Sequence, residues 1–305
     1  MFVYTSYKEA KKNAPYCIAL GSFDGVHIGH LKLIESIISK AKKLNCKSMI
    51  YTFLDHPKKT LYPNCLPEII TSDRLRMRIF KKYGLDSIYL ENFINIKNMN
   101  SENFIREVLI KKFQIKCVVA GYNFRFGLNK NGDTKVLKML GEKYGFEVLI
   151  IEPVIIKGNI VSSSLIRELL KDGEVEITKE YLGRYFSING IVIHGRKNGC
   201  KIGIRTANIE VEKDIVLPKK GVYFTSTVID NIEYKSVTNI GYNPTFNGKK
   251  ISIETHIIDF NDYIYDTDVE VVFLKWHREE KYFSSINELK QQINYDINCR
   301  LVSNI

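Results

Sequence analysis

Apolar and polar positions along the first half of the chain switch between two periods. Tyr16-Cys17-Ile18-Ala19-Leu20 is a short unbroken apolar run of the kind a fully buried strand makes. From Leu31 to Leu44 the residues Leu33, Ile34, Ile37, Ile38 and Ala41 recur at helical spacing. Ser48 to Phe53, Ser87 to Leu90, Cys117 to Ala120 and Phe146 to Ile151 are further strand-like runs, with helical stretches between them. This alternation predicts a parallel sheet with helices on its faces. Such sheets take ligands outside the carboxyl ends of their strands.

Near Tyr185 the pattern changes. Strand-like runs follow one another directly: Ile188 to Ile193, Val222 to Ile229, Tyr234 to Asn239, Ile251 to Ile258 and Val269 to Leu274. Gly and Asn-Gly signals separate several of them, which predicts an antiparallel barrel or sandwich. A closing helix is expected from about Ser285 to Arg300, with Ile286, Leu289, Ile293 and Ile297 on one stripe. The boundary between the halves is expected around Leu182 to Phe186. No internal repeat stands out.

Length agrees with two cores, since 305 residues exceed one ordinary domain. No run of eighteen apolar residues occurs, so no membrane span is predicted. Met1 to Pro15 is polar and lysine-containing and lacks the apolar stretch of a secretory signal, so a cytoplasmic location is the expectation. The six cysteines, Cys17, Cys46, Cys65, Cys117, Cys200 and Cys299, form no CxxC pair and read as small buried hydrophobes in a reducing compartment. The net charge of +11 favours anionic ligands in general. The lysines are scattered rather than blocked together, so the excess reads as solvated surface.

The sharpest chemistry lies in Gly21-Ser22-Phe23-Asp24-Gly25-Val26-His27-Ile28-Gly29-His30, where a strand passes into a helix. Free backbone N–H groups and the helix dipole favour phosphate there. Gly21 and Gly25 permit a tight turn and close backbone approach. His27 and His30, three apart, share a face of the first helical turn and offer two imidazole donors to a phosphate under attack.

This segment resembles the HxGH signature of the nucleotidylyltransferase superfamily and, in its fuller form, the N-terminal domain of bifunctional riboflavin kinase/FAD synthetases. Thr52-Phe53-Leu54-Asp55-His56-Pro57 is similar to that family's TFxPHP strand end, with Asp55 in place of proline. Gly121-Tyr122-Asn123-Phe124-Arg125-Phe126-Gly127 resembles its aromatic loop, and Ser162-Ser163-Ser164-Leu165-Ile166-Arg167 its SSTxIR motif. The resemblance implies that Gly21, Phe23, Asp24, Gly25, Ser162, Ser163, Ser164 and Arg167 hold ATP and its phosphates. It implies that His27 and His30 are catalytic, and that Asn123, Phe124 and Phe126 meet the flavin. Physically, the three serines open a helix and either hold phosphate or cap it. Arg167 offers a planar fork to phosphate. Phe124 and Phe126 pack either on a flat ring or on the core. The implied reaction is attack of the FMN phosphate on the α-phosphorus of ATP with loss of pyrophosphate. A phosphate monoester is already largely deprotonated at neutral pH, so no general base is required.

The second half resembles the riboflavin kinase domain of the same family: Leu182-Gly183-Arg184, Gly190 to Gly195, Gly199, Gly203-Ile204-Arg205-Thr206-Ala207-Asn208, Gly221-Val222-Tyr223, Asn239 to Phe246, Glu254-Thr255-His256, Arg278 to Phe283, and Gln292-Ile293 with Asp296. By resemblance Gly203 and Thr206 bind ATP phosphates, Thr206 and Asn208 bind Mg²⁺, Arg278 binds flavin, and Glu254 is the base that takes the ribityl hydroxyl proton. The family loop reads GFPTAN, so this chain lacks its aromatic and its proline, and Cys200 stands where arginine is common. Losing the proline frees φ. Arg205 either compensates by touching phosphate or clashes with the metal.

The expected architecture is therefore an α/β nucleotidylyltransferase domain, Rossmann-like with a parallel sheet, over residues 1–182. An antiparallel β-barrel riboflavin kinase domain with a C-terminal helix follows over 183–305. The implied substrates are ATP, riboflavin and FMN, with Mg²⁺ as cofactor. No nucleic-acid or membrane partner is expected, and the chain is expected to be a monomer or weak homo-oligomer. An FMN adenylyltransferase with a degenerate, flavin-binding kinase domain is the alternative, motivated by the altered loop. A basic nucleic-acid-binding module is a third reading, motivated by charge alone.

Overall fold

The computed structural model describes residues 1–12, 15–55, 57, 60, 68–194, 203–212, 214–245 and 248–305. The motif residues His56, Gly195, Gly199, Cys200 and Phe246 lie outside this set, as does Cys65. The chain divides into two compact units, Met1–Pro67 with Asp73–Ser162, and Glu68–Ser72 with Ser163–Ile305.

The first unit runs β1 (Phe2–Tyr4), α1 (Tyr7–Lys11), β2 (Tyr16–Leu20), α2 (Ile28–Lys43), β3 (Lys47–Phe53), α3 (Asp73–Lys82) and β4 (Ser87–Glu91). It continues with α4, made of Ser101–Asn103, a π-helical Phe104–Ile110 and Lys111–Phe113. Then come β5 (Cys117–Gly121), α5 (Thr134–Tyr144), β6 (Glu147–Ile151) and the hairpin β7 (Ile155–Ile156) and β8 (Asn159–Ile160). Six strands form one parallel sheet in the order β1-β4-β3-β2-β5-β6. The unbroken apolar run of β2 has its cause in this order. Tyr16, Ile18 and Leu20 join one core cluster with Val108 and Leu137, while Cys17 and Ala19 join another with Leu33, Ile34 and Ile37 of α2. A strand buried on both faces has no use for a polar alternation.

The second unit holds α6 (Ser163–Asp172), α7 (Val175–Leu182), β9 (Phe186–Ile193), β10 (Ala207–Val211), β11 (Gly221–Ile229), β12 (Ile232–Thr245), β13 (Gly248–Ile257), β14 (Asp268–Arg278) and α8 (Ile286–Val302). The strands close into a barrel ordered β10-β13-β12-β11-β14-β9, and every pair is antiparallel. One row of buried positions is polar. Thr225, Thr227, Ser236, Thr238 and Thr255 are inaccessible or nearly so. Their hydroxyls link at 2.8 Å (Thr225–Ser236 and Thr225–Thr238) and at 2.9 Å (Thr227–Ser236 and Thr238–Thr255). Each buried hydroxyl therefore has the partner that burial demands.

The closing helix is present, and its expected apolar stripe attaches it only in part. Ile286 is 64% exposed, whereas the buried residues of α8 are Asp296 and Arg300. Ile297 and Cys299 do pack on Val222, Phe224 and Val237. Arg300 donates from Nε to the Thr225 carbonyl at 3.2 Å and from a terminal nitrogen to Ser303 Oγ and the Ile305 carbonyl, both at 3.2 Å. The barrel thus receives a helix whose anchors are charged, a feature a hydrophobic pattern does not register.

Candidate functional site

The turn after β2 is built on uncommon backbone. Gly25 has φ +81°, and two side-chain-bearing residues, Phe23 (φ 53°) and Val26 (φ 38°), also adopt positive φ. Both are fully buried. Such conformations cost free energy and persist where packing over-determines them, most often at ligand sites. Here the Phe23 ring meets Phe80 edge-on, 5.9 Å between centroids, and lies 5.1 Å from the His30 ring. A Cβ at Gly21 would stand 3.1 Å from the Phe23 ring, so that glycine accommodates the buried aromatic.

His27 caps α2. Its Nδ1 accepts the His30 amide at 3.3 Å, and the two imidazoles stack at 3.7 Å with planes 14° apart. Gly29 leaves room for this ring, since a Cβ there would lie 3.1 Å from His27 Nδ1 and Cε1. The expected pairing of His27 and His30 on one face is therefore realised, and Asp24 is buried beside them in sequence. Two elements brace the turn from behind. Thr52 Oγ1 of β3 donates to the Ser22 carbonyl at 3.1 Å, and Arg76 of α3 donates to the same oxygen at 3.3 Å. Arg76 also pairs with Asp73 at 2.6 Å, is nine-tenths buried, and its Nε has no hydrogen-bond partner among the described residues. The sequence reading missed Arg76. The available signal was its place at i−3 and i−4 to Ile79 and Phe80, an arginine on the apolar stripe of a helix.

The aromatic loop is also fixed tightly. Phe126 and Gly132 exchange backbone hydrogen bonds of 3.0 and 2.9 Å. A Cβ at Gly132 would come within 2.7 Å of the Phe126 ring, and one at Gly127 within 2.8 Å of the Ser101 nitrogen. Phe126 is buried in the core next to Phe104, Phe124 stacks on it at 5.5 Å, half-buried, and Asn123 is exposed. Of the two packings open to these rings, Phe126 takes the core. Ser162 falls in the first unit, and Ser163, Ser164 and Arg167 fall in the second. Ser163 opens α6, and Arg167 Nε donates to the Glu68 carbonyl at 2.6 Å.

In the barrel, strand register gathers the expected kinase residues. Asn208 of β10 lies opposite Glu254 of β13, and Glu254 lies opposite Asn239 of β12. Directly opposed residues point to the same side of a sheet. Thr255, the next residue, belongs to the buried hydroxyl row, so Glu254 faces outward with the two asparagines. The row continues through Val222 of β11 to Arg278 of β14. Asn239 Nδ2 reaches Glu280 at 3.4 Å, and Lys290 Nζ of α8 would lie 4.0 Å from a Cβ placed on Gly203. That places an ammonium beside the glycine turn.

Arg278 is engaged already. It donates to Asp296 from Nε at 3.0 Å and from a terminal nitrogen at 2.6 Å, and Gln292 donates to the same carboxylate at 2.8 Å. His277 lies 3.2 Å from Asp296 and stacks on Phe224. Burial holds its pKa below the ordinary value, against the pull of Asp296, so Arg278 is the charge that answers the carboxylate. The donors of the Thr206, Asn208 and Glu254 group are hard oxygens with one carboxylate, which fits Mg²⁺ held partly by substrate phosphates. Among the described residues no three His, Cys, Asp or Glu side chains gather into a metal cage.

Two family models match the chain: FAD synthetase over residues 9–165 and riboflavin kinase over residues 182–301. A bifunctional riboflavin kinase/FMN adenylyltransferase of Buchnera aphidicola subsp. Schizaphis graminum is 36% identical over 292 residues, 94% of this chain and 93% of the relative. The enzyme of the same description from Escherichia coli is 32% identical over 281 residues, 92% of this chain and 90% of its own. A crystal structure from Streptococcus pneumoniae, described as a macrolide-efflux protein, superposes with TM-score 0.90 at 29% identity over 99% of both chains. That description belongs to the other protein. Among the described residues of this one, no helix is long and apolar enough to cross a membrane.

Proposed function

Because the chain belongs to the family of bifunctional riboflavin kinase/FMN adenylyltransferases, we propose that it makes FMN from riboflavin and FAD from FMN with the following division of labour. In FMN adenylylation, the amides of the turn at Gly21, Phe23, Asp24 and Gly25 cradle ATP phosphates. His27 and His30 donate to the charge that builds on the α-phosphate as the FMN phosphate attacks and pyrophosphate leaves. Ser162, Ser163, Ser164 and Arg167 supply further phosphate donors. Phe124 offers the flavin a half-buried ring backed by Phe126, and Asn123 a neutral hydrogen-bonding group.

In the kinase step, Glu254 accepts the proton of the ribityl hydroxyl as its oxygen attacks the γ-phosphorus of ATP and ADP leaves. Gly203 and Thr206 hold the ATP phosphates. Thr206 and Asn208 would hold Mg²⁺, which when bound neutralises phosphate charge. Arg278, oriented by Asp296, lies against the flavin. The functional boundary is taken at 182/183, at the start of the riboflavin kinase match. ATP as substrate puts the proposed work in the cytoplasm, and the chain is taken to act as a monomer or weak homo-oligomer, without nucleic acid.

The observation that carries the kinase reading is the register Asn208–Glu254–Asn239, which sets a carboxylate among neutral oxygen and amide groups. A chromatographic product assay with ATP, Mg²⁺ and either riboflavin or FMN tests the whole. FMN and FAD from riboflavin are expected. FAD from FMN with riboflavin untouched would reduce the barrel to a flavin-binding module.

A further inference from the structure

The loop Gly203–Asn208 has no proline, yet one residue ties it down at two points. Arg205 donates from its guanidinium to the Asn261 carbonyl at 3.1 Å. Its own carbonyl is 2.7 Å from His256 Nδ1, which is the donor there. Asn261 lies on the connection between β13 and β14, and His256 is on β13 two residues beyond Glu254, on the same side of the strand. Ile204, the preceding residue, is buried at 6% exposure. The loop is thus anchored by one apolar side chain and fastened on both sides of residue 205 to the framework that carries Glu254.

We infer that Arg205 and His256 are positioning residues of the kinase site, supplying through two hydrogen bonds the loop restraint that a proline supplies through its ring. The inference rests on the reading of the barrel as a riboflavin kinase. Proline restrains a loop by fixing φ near −65°. Arginine leaves φ free, and the tethers to Asn261 and His256 remove that freedom after folding. The guanidinium is spent on the Asn261 carbonyl and is directed neither at ATP phosphate nor into the Thr206 and Asn208 group. The restraint acts on ATP binding because Gly203 and Thr206 flank the tethered residue. A loop that must order on binding takes its ordering cost out of affinity.

The test is steady-state kinetics of FMN formation, with FAD formation from FMN measured in the same preparations as an internal control. Arg205→Ala should raise the KM for ATP in the kinase reaction about three- to tenfold, the worth of one partly exposed hydrogen bond. The kinase kcat and the FAD-forming rate should hold. Arg205→Pro should return KM to the parental value, because the ring replaces the tether. His256→Ala should mimic Arg205→Ala, whereas His256→Asn, whose amide nitrogen can stand where Nδ1 stands, should rescue it. An unaltered KM in Arg205→Ala, or Arg205→Pro as impaired as Arg205→Ala, would overturn the inference. A fall in kcat with KM unchanged would also overturn it, since that marks a phosphate contact made in the transition state. Failure of the parent chain to form FMN overturns the kinase reading and the inference together. FMN from the parent with indifferent variants overturns the inference alone.

Discussion

Arg76 shows how a charge away from the signature residues can govern them. Its guanidinium and the Thr52 hydroxyl both hold the Ser22 carbonyl, and Ser22 precedes Phe23, one of the positive-φ residues. Without that hold, the strained turn is free to relax toward ordinary φ values. A charged hydrogen bond of this kind is worth about 1.5–3 kcal/mol. Arg76→Ala should therefore slow FMN adenylylation by about tenfold or more while leaving the rate of FMN formation from riboflavin unchanged. Equal losses in both reactions would instead indicate general destabilisation. Arg76→Lys should fall between, because an ammonium restores the charge but not the fork.

Among the elements, α8 departs most from what its residues suggest. It carries an isoleucine series at helical spacing and packs Ile297 on the barrel, yet its fully buried residues are Asp296 and Arg300. Breaking a largely buried pair from one side leaves the other charge uncompensated, at a cost of about 3 kcal/mol. Asp296→Asn should lower unfolding free energy by that order in a urea titration and speed amide exchange across Ile286–Val302. The helix itself was legible, and so were most strands. Runs such as β2 and β5 are buried on both faces and so wear their apolar character openly. In contrast β10, with Asn208 and Glu210 among its five residues, and β1, with Phe2 and Val3 exposed, carry no such signature and appear only through pairing. The candidate site divides in the same way. The histidines and Glu254 were legible because spacing or family resemblance marks them. Arg76 beside Ser22, Asn239 opposite Glu254 and Lys290 near Gly203 take their places only through packing and register.

Across the whole molecule the proposed assignment gives the two chemistries separate sets of residues, so the variants should separate too. Glu254→Gln should abolish FMN formation and spare FAD formation from FMN, and His27→Ala should do the reverse. Losing the base costs roughly a hundred- to ten-thousandfold, and losing a donor roughly a hundred- to a thousandfold. Chromatography of both products from each variant checks this, and any variant that loses both reactions contradicts the division. The row of linked hydroxyls from Thr225 to Thr255 has a bearing on quality control. Slipping β13 by one residue would turn the Glu254 carboxylate in among those hydroxyls and bring Thr255 out, since alternate residues face opposite sides. An ionised carboxylate confined there without a counter-charge is costly. A barrel closed in the wrong register would therefore be unstable as well as inactive, so the same hydroxyl row that lines the interior selects the register that presents Glu254.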